Sequence, residues 1–214
     1  MSDIKIKSKV KKRGYDLESR PENKSRRREH VQEEEWILDF IKRAPFGYFA
    51  TRWDDQPFVH PMTFWYDADK HCLYMHGAMI GRRDANTKRH EKIAFCASEM
   101  GRLLPSNRAL NFSVQFKSVM AFGDVIEVTT EDEQKHAFYG LIKKYFSEME
   151  LNKDFSSIIE EDLKRTRAYR VNISSWSGKQ NWKEMTDMNP DFPPLDEKWL
   201  KDDSFPMSFG QMGK

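Results

Sequence analysis

Only two cysteines, Cys72 and Cys96, occur in 214 residues, and both sit in apolar, strand-like runs. Such a pair builds no disulfide framework, and two buried thiols in a reducing compartment are expected. No apolar run approaches the roughly 20 residues that span a bilayer, and the basic first segment has no apolar stretch of the kind a secretion signal needs. A cytoplasmic chain with no membrane attachment is the expectation. No internal repeat is present, and no Gly-x-Gly-x-x-Gly turn follows a strand, so a nicotinamide would bind only transiently. No nucleophile or carboxylate pair is convincingly spaced for catalysis. A zinc site from His60, His71, Cys72 and His76 is disfavoured, because His71 and Cys72 point to opposite faces of one strand and no paired-ligand spacing recurs. No metal is expected.

What the chain does have is 38% apolar residues and 13% aromatic ones, beneath a surface rich in charge at 33%. That is enough for one sizeable core or two small ones, and too aromatic for wholesale disorder. The net charge of +2 conceals an asymmetry: residues 1–28 carry 11 Lys/Arg against 4 Asp/Glu, leaving 25 against 30 for the remainder. The first segment, ending in Arg26-Arg27-Arg28, has almost no apolar content, so residues 1–30 are expected to be a flexible basic tail. Without interleaved aromatics or a recognisable motif it is not expected to bind nucleic acid.

The folded part is expected from about Glu33. Trp36, Ile37, Phe40, Ile41 and Ala44 share one helical face, with acidic residues in the first turn and Pro45 as a stop. Gly47–Arg52, Phe58–Tyr66 and Cys72–His76 then read as strands joined by Asp-rich turns. Arg82 to about His90 reads as a short helix and Lys92–Ser98 as a fourth strand, before a loop at Leu103–Asn107. From Leu110 the chain alternates, with Leu110, Phe112, Val114 and Phe116 on one face; at Ser118-Val119 the apolar face switches, as a bulge or two-sided burial would require. A strand of about 18 residues must bend, which suits a barrel. Thr130 and Glu133 predict a capping box for a helix with an apolar stripe of Phe138, Leu141, Ile142 and Tyr145. Ser157 is placed as the cap of a short helix to Leu163, Arg167–Ser175 as the last strand, and residues 183–214 as an extension wrapping the surface or a partner subunit. Six antiparallel strands with flanking helices make an α+β protein on a small Greek-key-like barrel.

The most informative stretch is Met75-His76-Gly77-Ala78-Met79-Ile80-Gly81-Arg82-Arg83-Asp84-Ala85-Asn86. A strand ends, a glycine-flanked turn follows, and two arginines open a helix. Helix N-terminal N–H groups favour an anion and guanidinium forks grip phosphate, so the arrangement reads as a phosphate cradle.

This turn resembles that of the pyridoxamine 5'-phosphate oxidase-like FMN-binding split-barrel family, and within it the nitroimidazole-resistance (Nim) proteins. The resemblance runs from about Trp36 to Trp182. It is carried further by Leu104-Pro105-Ser106-Asn107, the strand Ser113–Met120, Phe122-Gly123, Glu161–Thr166 and Trp176-Ser177-Gly178-Lys179-Gln180-Asn181-Trp182. It implies an FMN-binding split β-barrel spanning residues 31–182, forming a homodimer with flavin sites at the subunit interface. On that basis Arg82 and Arg83 would hold the FMN phosphate, although the second basic residue is more often lysine in the oxidases proper. Ser113, Gln115 and Lys117 match positions that approach the cofactor; a plain solvated strand face is their alternative. His76 matches a residue beside the flavin and would orient an acceptor or pass a proton, against the plainer role of a hydrogen-bonded strand-end residue. Trp176, Lys179 and Trp182, around a Ser-Gly-Lys turn, would wall or seal the flavin, or else serve as packing anchors. The activity implied is reduction of small molecules, including nitroaromatic or 5-nitroimidazole compounds; the alternative is a flavin- or haem-binding protein with a sensing or storage role.

Overall fold

A computed structural model describes residues 24–201. Most of the expected basic tail, and the end of the C-terminal extension, lie outside the described residues. Order begins before Glu33: Arg28–His30 forms a tight turn that buries His30, and β1 (Val31–Gln32) pairs with the last strand. Helix α1 (Glu34–Arg43) follows and buries Ile37, Phe40 and Ile41, while Asp39 and Arg43 pair across its exposed face. The hairpin β2 (Gly47–Trp53) and β3 (Gln56–Met62) turns at Asp54, whose positive φ of 49° an aspartate tolerates well. Then come β4 (Trp65–Asp67), β5 (Cys72–Ala78), α2 (Arg82–Arg89), β6 (Lys92–Leu104), β7 (Ser113–Glu127), α3 (Glu131–Tyr145), α4 (Glu160–Leu163) and β8 (Thr166–Asn181).

The strands form one antiparallel sheet in the order β3-β2-β6-β7-β8-β5-β4, with β1 added to β8. The first and last strands of that order, β3 and β4, are neighbours in sequence, joined only by Thr63-Phe64. Two residues cannot bridge a flat sheet, so it must curl until its edges meet at this corner without pairing. The result is a barrel with an open seam, and the chain is an α+β split barrel. Tyr145 secures the corner, its hydroxyl accepting from Phe64 N at 3.0 Å and donating to Phe64 O at 2.9 Å. The expected single strand over 58–66 is broken here for that reason.

Directly paired residues share a face. One row, His60–Phe49–Phe95–Ala121–Trp176, points inward, and the aromatic core of Phe49, Phe64 and Phe95 lies along it. Val119, Val125, Met75 and Tyr169 extend this core, and α1 closes it. The apolar alternation of β7 is resolved differently from expectation. No register shift occurs at Ser118-Val119; the odd positions, from Gln115 through Val125, face in throughout. The even apolar residues face out, leaving Phe112 and Met120 exposed together with Met100 and Tyr48.

Three further expectations are corrected. The capping box is absent: Thr130 makes no side-chain cap, and Glu133 receives the buried Tyr74 hydroxyl at 2.6 Å and the Arg170 guanidinium. Ser157 bonds Asn152 Oδ1, and the following helix starts at Glu160, where Asp162 accepts from Ile159 N. The Ser-Gly-Lys segment is no turn: β8 runs straight through it, and Gly178 is needed because a Cβ there would lie 2.6 Å from Ile37 Cγ1.

Beyond β8 the chain crosses the loop after β6 and is held by its backbone. Ser106 Oγ and Asn111 Nδ2 both donate to Asp187 O at 2.9 Å, and Asn107 exchanges bonds with Asn189, giving to its O at 3.0 Å and accepting from its N at 2.7 Å. No helix among the described residues is long and apolar enough to cross a membrane.

Between β7 and β8 the register shifts after Phe122, and Gly123 lies so close to β8 that a Cβ would meet Asn172 O at 2.0 Å. A backbone atom cannot turn aside as a side chain can. Gly123→Ala is therefore expected to cost about 1–3 kcal/mol, measured as a lowered denaturant midpoint; an unchanged midpoint would show that the bulge has slack.

Candidate functional site

The junction of β5 and α2 gathers three of the residues singled out by sequence. Gly81 stands at the N-cap of α2 with φ 153°, a value L side chains rarely adopt, and open space lies where its Cβ would be. No side chain caps the helix, so its first N–H groups are left for solvent or a ligand. Arg82 is exposed and lies over the rings of Phe58 and Trp53, 5.3 and 5.4 Å from their centres. Among the described residues it has no carboxylate partner. Arg83 turns back onto β5, donating to His76 O at 3.1 Å and Met62 Sδ at 3.3 Å, over the Tyr169 ring at 4.8 Å. Gly77 makes room for it: a Cβ there would sit 2.0 Å from Arg83 Nη2. The two arginines thus bracket the junction from opposite sides.

Helix α2 is short, polar and uncapped, and intrinsic propensity would not hold it. Two buried residues do. Asp84 pairs with Arg167 of β8, accepts from Tyr169 OH at 3.0 Å, and meets Lys88 at 3.0 Å. Burial pushes its carboxyl up, but the bonds from Lys88 and Tyr169 and the Arg167 charge outweigh it, and its pKa lies below the ordinary value. Two positions on, Asn86 is fully buried and donates to Thr51 Oγ1 at 2.9 Å.

His76 faces a mainly apolar pocket of about 310 Å³ lined by Thr63, Phe138, Leu141, Ile142 and Tyr145, with its ring edge on Phe138 at 5.8 Å. Its packing there, and then the Arg83 charge, lower its pKa, so the imidazole is neutral at neutral pH.

The other sequence-predicted residues do not converge on this junction. Lys117 pairs with Glu99 at 3.4 Å and lies 4.0 Å over Trp182, six residues along β7 from Gly123. Gln115 is buried beside them, its amide spent on Arg102 N at 3.3 Å and Lys183 O at 2.9 Å. Ser113 lines a separate cleft of about 320 Å³ with Arg27, His30, Phe112, Phe116 and Lys183. Trp176 packs inside the barrel against Tyr66 and, edge-on at 4.5 Å, His71. Lys179 stands opposite Ser118 on the outer face. Sequence reasoning missed Thr51 and Arg167, and weighed His60 only as a disfavoured zinc ligand. Thr51 and Arg167 reach α2 across 35 and 83 positions, His60 joins it only through Thr51, and no local pattern marks these links.

Residues 33–180 match the pyridoxamine 5'-phosphate oxidase family. Among solved structures, the chain is similar to a candidate 5-nitroimidazole antibiotic resistance protein from Bacteroides thetaiotaomicron, at 22% identity over 70% of this chain and 86% of that one, with a TM-score of 0.58. It is similar to the flavocytochrome Anf3 from Azotobacter vinelandii at 21% identity over 86% of this chain and 79% of that one, TM-score 0.65. A FAD and heme binding protein from Mycobacterium smegmatis matches at 17% identity over 72% and 74%, TM-score 0.63. Likeness at these identities shows the shared fold. No curated protein matches the chain.

Removing the carboxylate of Asp84 would leave Arg167, itself only 12% exposed, with Glu127 at 2.9 Å as its remaining carboxylate. Asp84→Asn is expected to destabilise by about 1–3 kcal/mol near neutral pH. Because the folded pKa is depressed, this stabilisation is present above the unfolded-state carboxyl pKa and is lost as pH falls through the folded one. The variant's stability should therefore approach that of the wild type in acid. Parallel pH–stability curves would contradict the assignment.

Proposed function

The chain belongs to the pyridoxamine 5'-phosphate oxidase family, and from that premise we propose that it is an FMN-binding flavoprotein that reduces small molecules, nitroaromatic compounds among them. The observation that carries the reading is the exposed Arg82 guanidinium, free of any carboxylate among the described residues, beside an uncapped helix start and Arg83. Oriented N–H groups with two guanidinium charges fit a phosphate ester, and the mainly apolar pocket that His76 lines with α3 fits a small planar acceptor. When bound, the flavin would supply the electron transfer. The protein's part is positional and electrostatic. Arg82 and Arg83 would hold the phosphate, Leu141 and Phe138 would exclude water around the acceptor, and the neutral His76 imidazole would orient that acceptor, or relay to it a proton first taken up from solvent.

A homodimer completes this reading. The outward row Tyr48–Cys96–Met120 and the neighbouring Met100 and Phe112 give the barrel an apolar outer face larger than scattered surface residues would make. Lys117, Trp182 and Lys179 lie away from Arg82 and Arg83 within one chain, as they would if a second subunit brought them to the flavin. Sedimentation at micromolar concentration should give twice the monomer mass; a monomer would remove the dimer and the shared site with it.

Purified protein should be yellow with flavin absorbance, whereas a Soret band would substitute haem for FMN. Replacing Arg82 and Arg83 together by alanine should weaken FMN at least tenfold, as ionic contacts of about 1.5–3 kcal/mol each imply. An unchanged dissociation constant would end the cradle assignment. His76→Ala should keep flavin and lose about 10²–10⁴-fold in reduction of the best acceptor. Full turnover in that variant would reduce His76 to a packing residue.

A further inference from the structure

The inner face of β3 presents Phe58, His60 and Met62 in sequence, and α2, packed on β2, sends its two arginines over it. Arg82 stacks on Phe58 and Arg83 reaches Met62 Sδ, so His60 occupies the floor between the two arginines. Its Nε2 is 2.8 Å from Thr51 Oγ1. That oxygen already accepts from Asn86 Nδ2 at 2.9 Å. Asn86 is fully buried and its Oδ1 has no partner. The reverse orientation of the amide would strand both buried N–H donors, where this one strands one N–H and the carbonyl, and an orphaned N–H is the costlier of the two. With Asn86 donating, the Thr51 proton goes to His60 Nε2, the other polar atom it contacts. Nε2 is then the acceptor nitrogen, and the proton of the neutral ring sits on Nδ1. Nδ1 has no hydrogen-bond partner among the described residues. Burial and the Arg83 charge keep the ring neutral by lowering its pKa.

We propose that His60 is a third phosphate-binding residue of this site, its tautomer set by the Asn86–Thr51–His60 chain so that Nδ1–H donates to a phosphate oxygen between Arg82 and Arg83. A fixed N–H dipole here adds a directional donor without a third full charge. It selects a phosphorylated ligand over its dephosphorylated form through geometry, where the arginines select through charge. This assignment rests on the flavin reading above.

The test compares FMN with riboflavin, which differ only by the phosphate, by fluorescence titration of the wild type, His60→Leu, His60→Asn and Thr51→Val. Nitrogen NMR of the imidazole in unliganded protein is measured alongside. The wild type should prefer FMN and show the proton on Nδ1. His60→Leu should lose about tenfold of that preference with riboflavin affinity unchanged, and His60→Asn, which keeps a donor near the Nδ1 position, should retain most of it. Thr51→Val should produce a tautomer mixture and a smaller preference with the imidazole still present, so the assignment stays testable if His60→Leu fails to fold. A wild-type proton on Nε2, or an FMN preference untouched by Thr51→Val and His60→Leu, would overturn the role of His60 and leave the flavin reading standing. Wild-type protein that binds neither flavin would overturn both.

Discussion

The buried carboxylate of Asp84 is the constraint on which the candidate site depends. Everything proposed for Arg82, Arg83 and His60 requires α2 to lie across the β2–β3 hairpin at one angle. A helix of eight mostly polar residues with no cap cannot choose that angle for itself. Its apolar burial is slight, so orientation comes from polar contacts made in a dry setting: Asp84 to β8 on one side, Asn86 to β2 on the other. Contacts of this kind are directional and costly to leave half-made, so they give a single pose where apolar packing would tolerate several. The arginines just before them inherit that pose.

The barrel uses its aromatic content in two different ways. Phe49, Phe64 and Phe95 fill the interior, where their edge-to-face contacts resemble those of any close-packed core. Tyr48, Phe112 and Phe116 lie on or beside the outer face, alongside Met100 and Met120. A sheet that is apolar on both sides is buried on both sides in most folds. The open seam serves a different end, since it lets the chain pass from β3 to β4 across a two-residue corner, and Tyr145 holds that corner from α3 by both backbone groups of Phe64.

Much of the fold was legible because its signals are local. The α1 stripe, the Asp-rich hairpin turns, and the strand–turn–helix at Gly81 each occupy a short window, and each lies where sequence places it. What could not be read depends on the other side of a contact. Alternation in β7 reveals that one face is apolar without saying whether it meets the core or the outside, and here it is the outside. Glu133 stands at capping-box spacing from Thr130, yet a buried tyrosine 59 residues away claims it. Gly178 has the composition of a turn but serves a close approach of α1 to a straight strand. The paired arginines were visible as residues, but their divergence onto Phe58 and Met62 was not, and His60 between them carried no motif at all.

The clamp on the C-terminal segment has a consequence for how this protein can change over time. Ser106, Asn107 and Asn111 grip residues 187–193 almost wholly by main-chain carbonyls and one N–H. Main-chain groups are common to nearly every amino acid, so the held segment can drift in composition while staying anchored. The gripping residues have no such freedom, since an aliphatic replacement would leave several carbonyls without donors. Divergence among relatives should therefore be lopsided across this contact. The loop after β6 is bound to its three polar identities, and the segment lying on it is free to acquire new surface chemistry.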